Sequence, residues 1–302
     1  MLVSVSRQVS RTSQRNDDEL LASIIGEAFP GFEYLPRVRS DLSEMDPSKH
    51  GFFIAKEGDK AVGCVVATSL PREKWFDFRH IALRDAFSNL ETGEDLIKKA
   101  IGYVEERDYE YLKATTPAIQ PYVDLYKKFG FTPIRRSLRL AWGLADSSGR
   151  ARGSAEIREL SKDDSQNVEE MIMRAHLPYW DWWLEERGGT SVRDWAHRFG
   201  FPLGTWLGAI SGGSVSGLAG FSPNAYGPGA ARLTCFCVLP EFRGAGIGSS
   251  LLSKTLEMAR LARQKRLVIY TLGYLDSLPP GAVTYLKSGA KIEAEYLQLQ
   301  RK

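Results

Sequence analysis

Arg243-Gly244-Ala245-Gly246-Ile247-Gly248 has the composition of a loop that grips a pyrophosphate. It follows a β-rich run, Leu233 to Leu239, and precedes Ser249 to Arg263, where apolar residues at 251, 252, 256, 259 and 261 fall at helical spacing. Glycines let a main chain approach phosphates closely, and the unpaired N–H groups and dipole of a helix start favour an anion. Arg243 adds a formal charge. A Walker A loop requires Gly-Lys followed by Ser or Thr, which is absent here. A dinucleotide fingerprint would place its third glycine at Ser249 and an acid after the next strand, where Leu272-Gly273 stands. Too little chain follows the loop for a six-stranded dinucleotide-binding sheet.

Arg-x-x-Gly-x-Gly after Val238-Leu239-Pro240 resembles motif A of the GCN5-related N-acetyltransferase superfamily, with Arg243, Gly246 and Gly248 at the defining positions. The resemblance implies an α/β fold: a mixed, mostly antiparallel sheet flanked by helices. Its strand before the loop is splayed by a bulge from a parallel neighbour, and a pantetheine arm enters the gap. It further implies acetyl-CoA as the cofactor, held by Phe236, Val238, Arg243, Gly244, Ala245, Gly246, Ile247, Gly248 and Ser249. Tyr285-Leu286-Lys287-Ser288-Gly289 matches the second family signature, a tyrosine four residues before a glycine on the last helix. The implied catalytic role of Tyr285 is to protonate the CoA thiolate as an amine attacks. The other reading is a packed tyrosine bonded to main chain. Ala290 stands where the family usually has Phe, so a smaller contact is expected behind that helix, and Pro279-Pro280 occupy the region of a common Asn.

No carboxylate lies on Leu233-Thr234-Cys235-Phe236-Cys237, where family members often carry a base. Asp181, Glu185, Glu186, His176 and Asp276 are on segments that border the acceptor cleft in this fold, although each also reads as a solvated charge. Cys235 and Cys237 are not read as nucleophiles, because nothing near them activates a thiolate. Tyr179-Trp180-Asp181-Trp182-Trp183, with Trp195 and Trp206, would suit a cationic, partly apolar acceptor, or a core between helix and sheet.

These residues are positioned by a repeated element order. The small, polar stretch Gly143 to Ser154 separates a domain at 1–145, a linker at 146–154 and a domain at 155–302. In the second copy a strand at 156–160 and a helix from 161–165 to 174 are expected, then a helical region over 180–198. A hairpin of 205–210 with 215–221 follows, then the site strand and helix, a strand at 267–272, a helix at 281–288 and a strand at 291–299. The first copy repeats this with a hairpin of 52–55 and 61–67, a strand at 78–83, a helix at 94–107, a strand at 111–115, a helix at 122–129 and a strand at 134–142. Tyr126 and Tyr285, like Gly130 and Gly289, are 159 residues apart. The same offset matches Arg84 to Arg243, but Asp85-Ala86-Phe87-Ser88-Asn89-Leu90 forms no phosphate cradle. The first copy therefore reads as degenerate, completing the acceptor site or supplying a pseudo-dimer surface.

At 302 residues the chain is long enough for two domains, and 43% hydrophobic with 25% charged residues is ordinary for a soluble protein. No apolar run approaches a membrane span, and Met1 to Gln14 lacks the apolar core of a secretory signal, so a cytoplasmic protein without membrane contact is expected. Three cysteines, Cys64, Cys235 and Cys237, are too few for a disulfide framework and wrongly spaced for a zinc knuckle, so no metal is expected. A net charge of +3 argues against a nucleic-acid partner. The expectation is direct acetyl transfer to a small-molecule or peptide amine by a monomer or homodimer. The alternatives are a non-catalytic acyl-CoA sensor, another acyl group, or a protein amine as acceptor.

Overall fold

The fold was taken from a computed structural model, which describes residues 7–12, 17–28, 42, 46, 48–70, 72–84, 90–145, 155–176 and 204–301. The linker at 146–154, the helical region at 180–198 and the segment 85–89 lie outside them. In chain order the elements are β1 (Arg7–Thr12), α1 (Asp18–Ala28), β2 (Gly51–Glu57), β3 (Lys60–Ser69), β4 (Trp75–Leu83), α2 (Leu90–Glu105), β5 (Tyr111–Pro117), α3 (Gln120–Lys128) and β6 (Phe131–Gly143). The second half adds β7 (Glu156–Glu159), α4 (Ser165–His176), β8 (Thr205–Ser211), β9 (Ser214–Ser222), β10 (Ala230–Val238), α5 (Ile247–Leu261), β11 (Arg266–Gly273), α6 (Pro280–Lys287) and β12 (Lys291–Arg301). The expected elements that fall among the described residues are present with ends shifted by a few residues; β1 and α1 were not anticipated.

Two compact units form, and neither is contiguous. One comprises residues 1–137, 272–277 and 294–302, the other 138–271 and 278–293. In the first unit the strand order is β1-β2-β3-β4-β5-β12, with β12 antiparallel to β5 from Tyr296 opposite Pro117 to Arg301 opposite Leu112. In the second it is β6-β11-β10-β9-β8-β7. The closing strand of each half of the sequence thus lies beside the penultimate strand of the other half.

Both units carry the same irregularity. In the second, Leu233 opposes Phe221 and Cys235 opposes Gly220, so Thr234 is the extra residue of a bulge. Its hydroxyl donates to Gly220 O at 2.9 Å. β10 runs parallel to β11 from Ala230–Arg266 to Arg232–Val268 only, although β10 continues to Val238 and β11 to Gly273. In the first, Val66 opposes His80 and Ala67 opposes Phe78, and the β4–β5 parallel pairing ends at Phe78–Ala114. The bulge turns the strand away from its parallel neighbour and opens a gap in the sheet.

Helices pack where strand residues leave room. In the second unit, a Cβ at Gly217 would lie 2.7 Å from Leu251 and 2.9 Å from Ile247, so glycine there lets α5 rest directly on β9. Trp142, Leu233, Leu256, Ile269 and Tyr285 belong to the core beneath α5 and α6. α4 covers the opposite face with Val168, Met171 and Ile172 packed near Cys235 and Cys237. Ahead of α4, Ser161 and Asp164 form a reciprocal cap: Asp163 N–H donates to Ser161 Oγ at 3.2 Å and Ser161 N–H to Asp164 at 2.9 Å.

Candidate active site

The loop after β10 is bent into a cradle by two left-handed glycines, Gly244 (φ 83°) and Gly246 (φ 80°). Gly246 is the N-cap of α5 and provides no side-chain cap. The first ladder bond of α5 runs from Ser250 N–H to Gly246 O at 3.0 Å, so the N–H groups of Ile247, Gly248 and Ser249 precede the ladder and have no intrahelical acceptor. A Cβ at Gly244 would meet nothing within 4 Å, and Ala245 is exposed. The concavity therefore has donors, space and the positive end of a helix dipole, the features that an anionic pyrophosphate needs.

Arg243 is held by main-chain carbonyls. Its Nε donates to Val238 O at 3.1 Å and its Nη2 to Ala175 O at 3.0 Å, near the C-terminus of α4. An ion pair between Arg174 and Glu241 makes a second tie between α4 and the turn. The arginine clamps the loop against α4, while the donors aimed outward are main-chain groups. Phe236 and Val238, half buried, alternate with buried Cys235 and Cys237 along β10 and pack toward Ile247 and Leu251. Both lie beyond Arg232, where pairing with β11 has ended.

Tyr285 reaches the same gap from α6. Its ring meets Phe236 edge-on at 5.6 Å and Trp142 at 5.5 Å with an interplanar angle of 83°. A Cβ on Gly281 would lie 3.0 Å from the Tyr285 hydroxyl, so the phenol rests on the bare first turn of α6. Burial raises its pKa, and nearby Cys235 and Cys237 act in the same direction. The phenol therefore keeps its proton through the neutral range. Hydrogen bonding to Cys235 and burial likewise push the Cys237 thiol well above its ordinary value, which agrees with the reading that these cysteines are not nucleophiles.

Trp142 is the residue that sequence reasoning missed. Ala290 was expected to leave a smaller contact behind α6, but the indole of Trp142 lies in the same cluster, against Tyr285. Of the acceptor-side candidates, Asp181, Glu185, Glu186, Tyr179, Trp180, Trp182, Trp183 and Trp195 lie outside the described residues. His176 ends α4 with Nδ1 2.8 Å from Ile172 O, and Asp276 is exposed on the loop before α6. Trp206 is 1% exposed and packs in the core under α4. Among the described residues no group of three or more His, Cys, Asp or Glu could hold a metal, and no helix is long and apolar enough to cross a membrane.

The first unit keeps the bulge, the gap and the tyrosine. Tyr126 is fully buried, its hydroxyl has no hydrogen-bond partner among the described residues, and burial followed by the Asp77 carboxylate raises its pKa. The pairing of Arg84 with Arg243 needs correction. Parallel register aligns Trp75–Tyr111 with Ala230–Arg266, an offset of 155, and Arg84 N–H donates to Val62 O where Leu239 N–H donates to Ser216 O. Arg84 thus occupies the backbone place of Leu239. Six residues separate β4 from α2, against eight between β10 and α5, so a common offset cannot hold across the loop.

The sequence profile of the Acetyltransferase (GNAT) family matches residues 19–131 and again 166–273, and the chain belongs to that family. A GCN5-related N-acetyltransferase from Sphaerobacter thermophilus is similar in structure at TM-score 0.75 and 15% identity, over 98% of this chain and 95% of that one. A tandem GNAT protein from the clavulanic acid biosynthesis pathway is similar at TM-score 0.64 and 14% identity, over 98% of both chains. The glucosamine N-acetyltransferase region of a fungal multi-domain β-N-acetylglucosaminidase is similar at 0.70 and 12%, over 99% of this chain and 38% of that one. A search of curated protein sequences returned no match.

Proposed function

We propose that the second unit is an acetyl-CoA-dependent N-acetyltransferase that moves the acyl group directly to an amine, of a small molecule or a peptide. The observation that carries this is the convergence on one gap of an uncapped, glycine-lined helix start and a protonated phenol. When bound, acetyl-CoA supplies an acyl group already activated as a thioester. The N–H groups of Ile247, Gly248 and Ser249 would hold its pyrophosphate, and the free edge of β10 at Phe236 and Val238 would line its pantetheine arm. Tyr285 holds a proton at Oη that can pass to the departing sulfur. Because its pKa is raised rather than lowered, it acts as a donor and not as a base.

The test is a screen of amines and peptides for release of free CoA thiol, followed by Tyr285→Phe with the best acceptor. The substitution keeps the ring between Phe236 and Trp142 and removes the proton, so kcat should fall roughly 10²-fold with CoA affinity little changed. A mutant that turns over like the parent would make Tyr285 structural. The absence of a carboxylate on β10 favours a second reading, an acyl-CoA sensor. CoA binding without turnover on any amine would establish it.

A further inference from the structure

The two units solve the same packing problem with different residues. In the first, Tyr126 meets Phe131 edge-on at 5.2 Å and 74°, and Phe131 follows the glycine that ends α3. In the second, the residue after the corresponding glycine is Ala290, which has no ring. The missing aromatic edge comes instead from Trp142, 5.5 Å from Tyr285 at 83°. Trp142 is 1% exposed and lies on β6, which continues directly from the signature helix of the first half. It is also bonded to the helix that carries the phenol. Its Nε1–H donates to Ser288 Oγ at 3.0 Å, and Ser288 Oγ donates to Tyr285 O at 2.7 Å. The indole therefore fixes the Tyr285 ring on one side and its main chain on the other.

We propose that Trp142 is a positioning residue for Tyr285, supplied by the first half of the sequence in place of the phenylalanine that Ala290 lacks. This rests on the role assigned to Tyr285 above. An edge-to-face partner restricts ring tilt, and a hydroxyl must be held within hydrogen-bond reach of the sulfur to transfer its proton efficiently. The contact acts through the phenol, so its loss should appear in turnover and not in CoA binding. It also gives the first half a part in the chemistry that needs no phosphate cradle of its own.

Trp142→Leu removes the aromatic edge and the bond to Ser288 while keeping the site apolar. Turnover should fall about tenfold with the KM for acetyl-CoA changed less than twofold. In a Tyr285→Phe background the same change should have no further effect, because the proton it positions is gone. Adding Ala290→Phe to Trp142→Leu rebuilds the first unit's solution and should recover most of the loss. An equal tenfold fall in the Tyr285→Phe background would overturn the proposal. A readout independent of turnover uses 3-fluorotyrosine, with the Tyr285 fluorine resonance assigned by its absence in Tyr285→Phe. Trp142→Leu should move that resonance and Ala290→Phe should move it back; a resonance indifferent to both would refute the contact. If the parent acetylates no amine, the function fails while the fluorine resonance still decides whether Trp142 sets the phenol. If Trp142→Leu does not fold, Trp142→Met, also apolar and without a ring, takes its place in the same comparisons with and without Ala290→Phe.

Discussion

Gly246→Asp tests the cradle at the N-cap of α5. Gly246 has φ 80° and caps α5 in front of three N–H groups with no intrahelical acceptor. An L-residue in that conformation costs about 1–2 kcal/mol. A carboxylate at a helix N-cap returns about 0.3–1 kcal/mol through the dipole, so the fold should survive with a slightly lower Tm. Binding fares differently, because the carboxylate takes the donors and repels the phosphates. Charge-assisted hydrogen bonds contribute about 1.5–3 kcal/mol each. Losing two of them weakens CoA by about 3–6 kcal/mol, or roughly 10² to 10⁴ in affinity. Calorimetry on the parent should give one CoA per chain, and the mutant should show that loss. Pantetheine, which lacks the pyrophosphate, should bind parent and mutant alike. Gly246→Asn carries similar strain without the charge and should lose much less. An unchanged affinity for CoA, or an equal loss for pantetheine, would refute the assignment of the loop.

Other expectations concern stability and reactivity. Hydrogen bonding from Arg158, then from Ser161, lowers the Asp164 pKa to about 2 from 3.8, so its contribution is complete above about pH 4 and is lost as pH falls from there to 2. Asp164→Asn should therefore lower the urea midpoint at neutral pH and change it much less at pH 2, as melts at the two pH values would show. Burial pushes the Cys64 thiol up to about 12, and Cys235 and Cys237 are also buried. Iodoacetamide at pH 8 should leave all three cysteines unlabelled until denaturant is added, and rapid native labelling of Cys237 would contradict the packing beneath α4.

Sequence was most legible where chemistry is local. Gly244 and Gly246 mark a turn that only a few conformations satisfy, and Gly212-Gly213 between two β-rich runs announces the β8–β9 hairpin; both follow from the backbone alone. Arg243 was harder, since its type reads as phosphate charge while the carbonyls of Val238 and Ala175 that hold it are brought together only by the fold. A bulge on the strand before the loop was implied by the family resemblance, though not its place at Thr234, and the destination of β6 was not legible. Leu138, Leu140 and Trp142 alternate as any buried strand does, and alternation fixes a face without naming a neighbour. Comparison of Phe131 with Ala290 signals that a ring is missing in the second copy, but long-range pairing decides that Trp142 fills the place.

The destination of β6 makes the two halves of the sequence unequal to the two units, and this has a consequence for dissection. Residues 155–302 contain the glycine loop, Tyr285 and all of α5 and α6, yet lack Leu138, Leu140, Trp142 and Leu144, four members of the core around Tyr285. Burying side chains of that size contributes about 1.5–3 kcal/mol each, so their absence removes about 6–12 kcal/mol. That equals the whole stability of an ordinary domain. It also exposes the edge of β11 that β6 covers. The fragment 155–302 should therefore show no cooperative unfolding transition and no CoA binding. A fragment beginning at Phe131 restores β6 without the rest of the first unit and should regain both, which separates the need for one strand from the need for a partner domain. Cooperative folding and tight CoA binding by 155–302 alone would show that β6 is dispensable, and with it the argument that Trp142 sets the phenol.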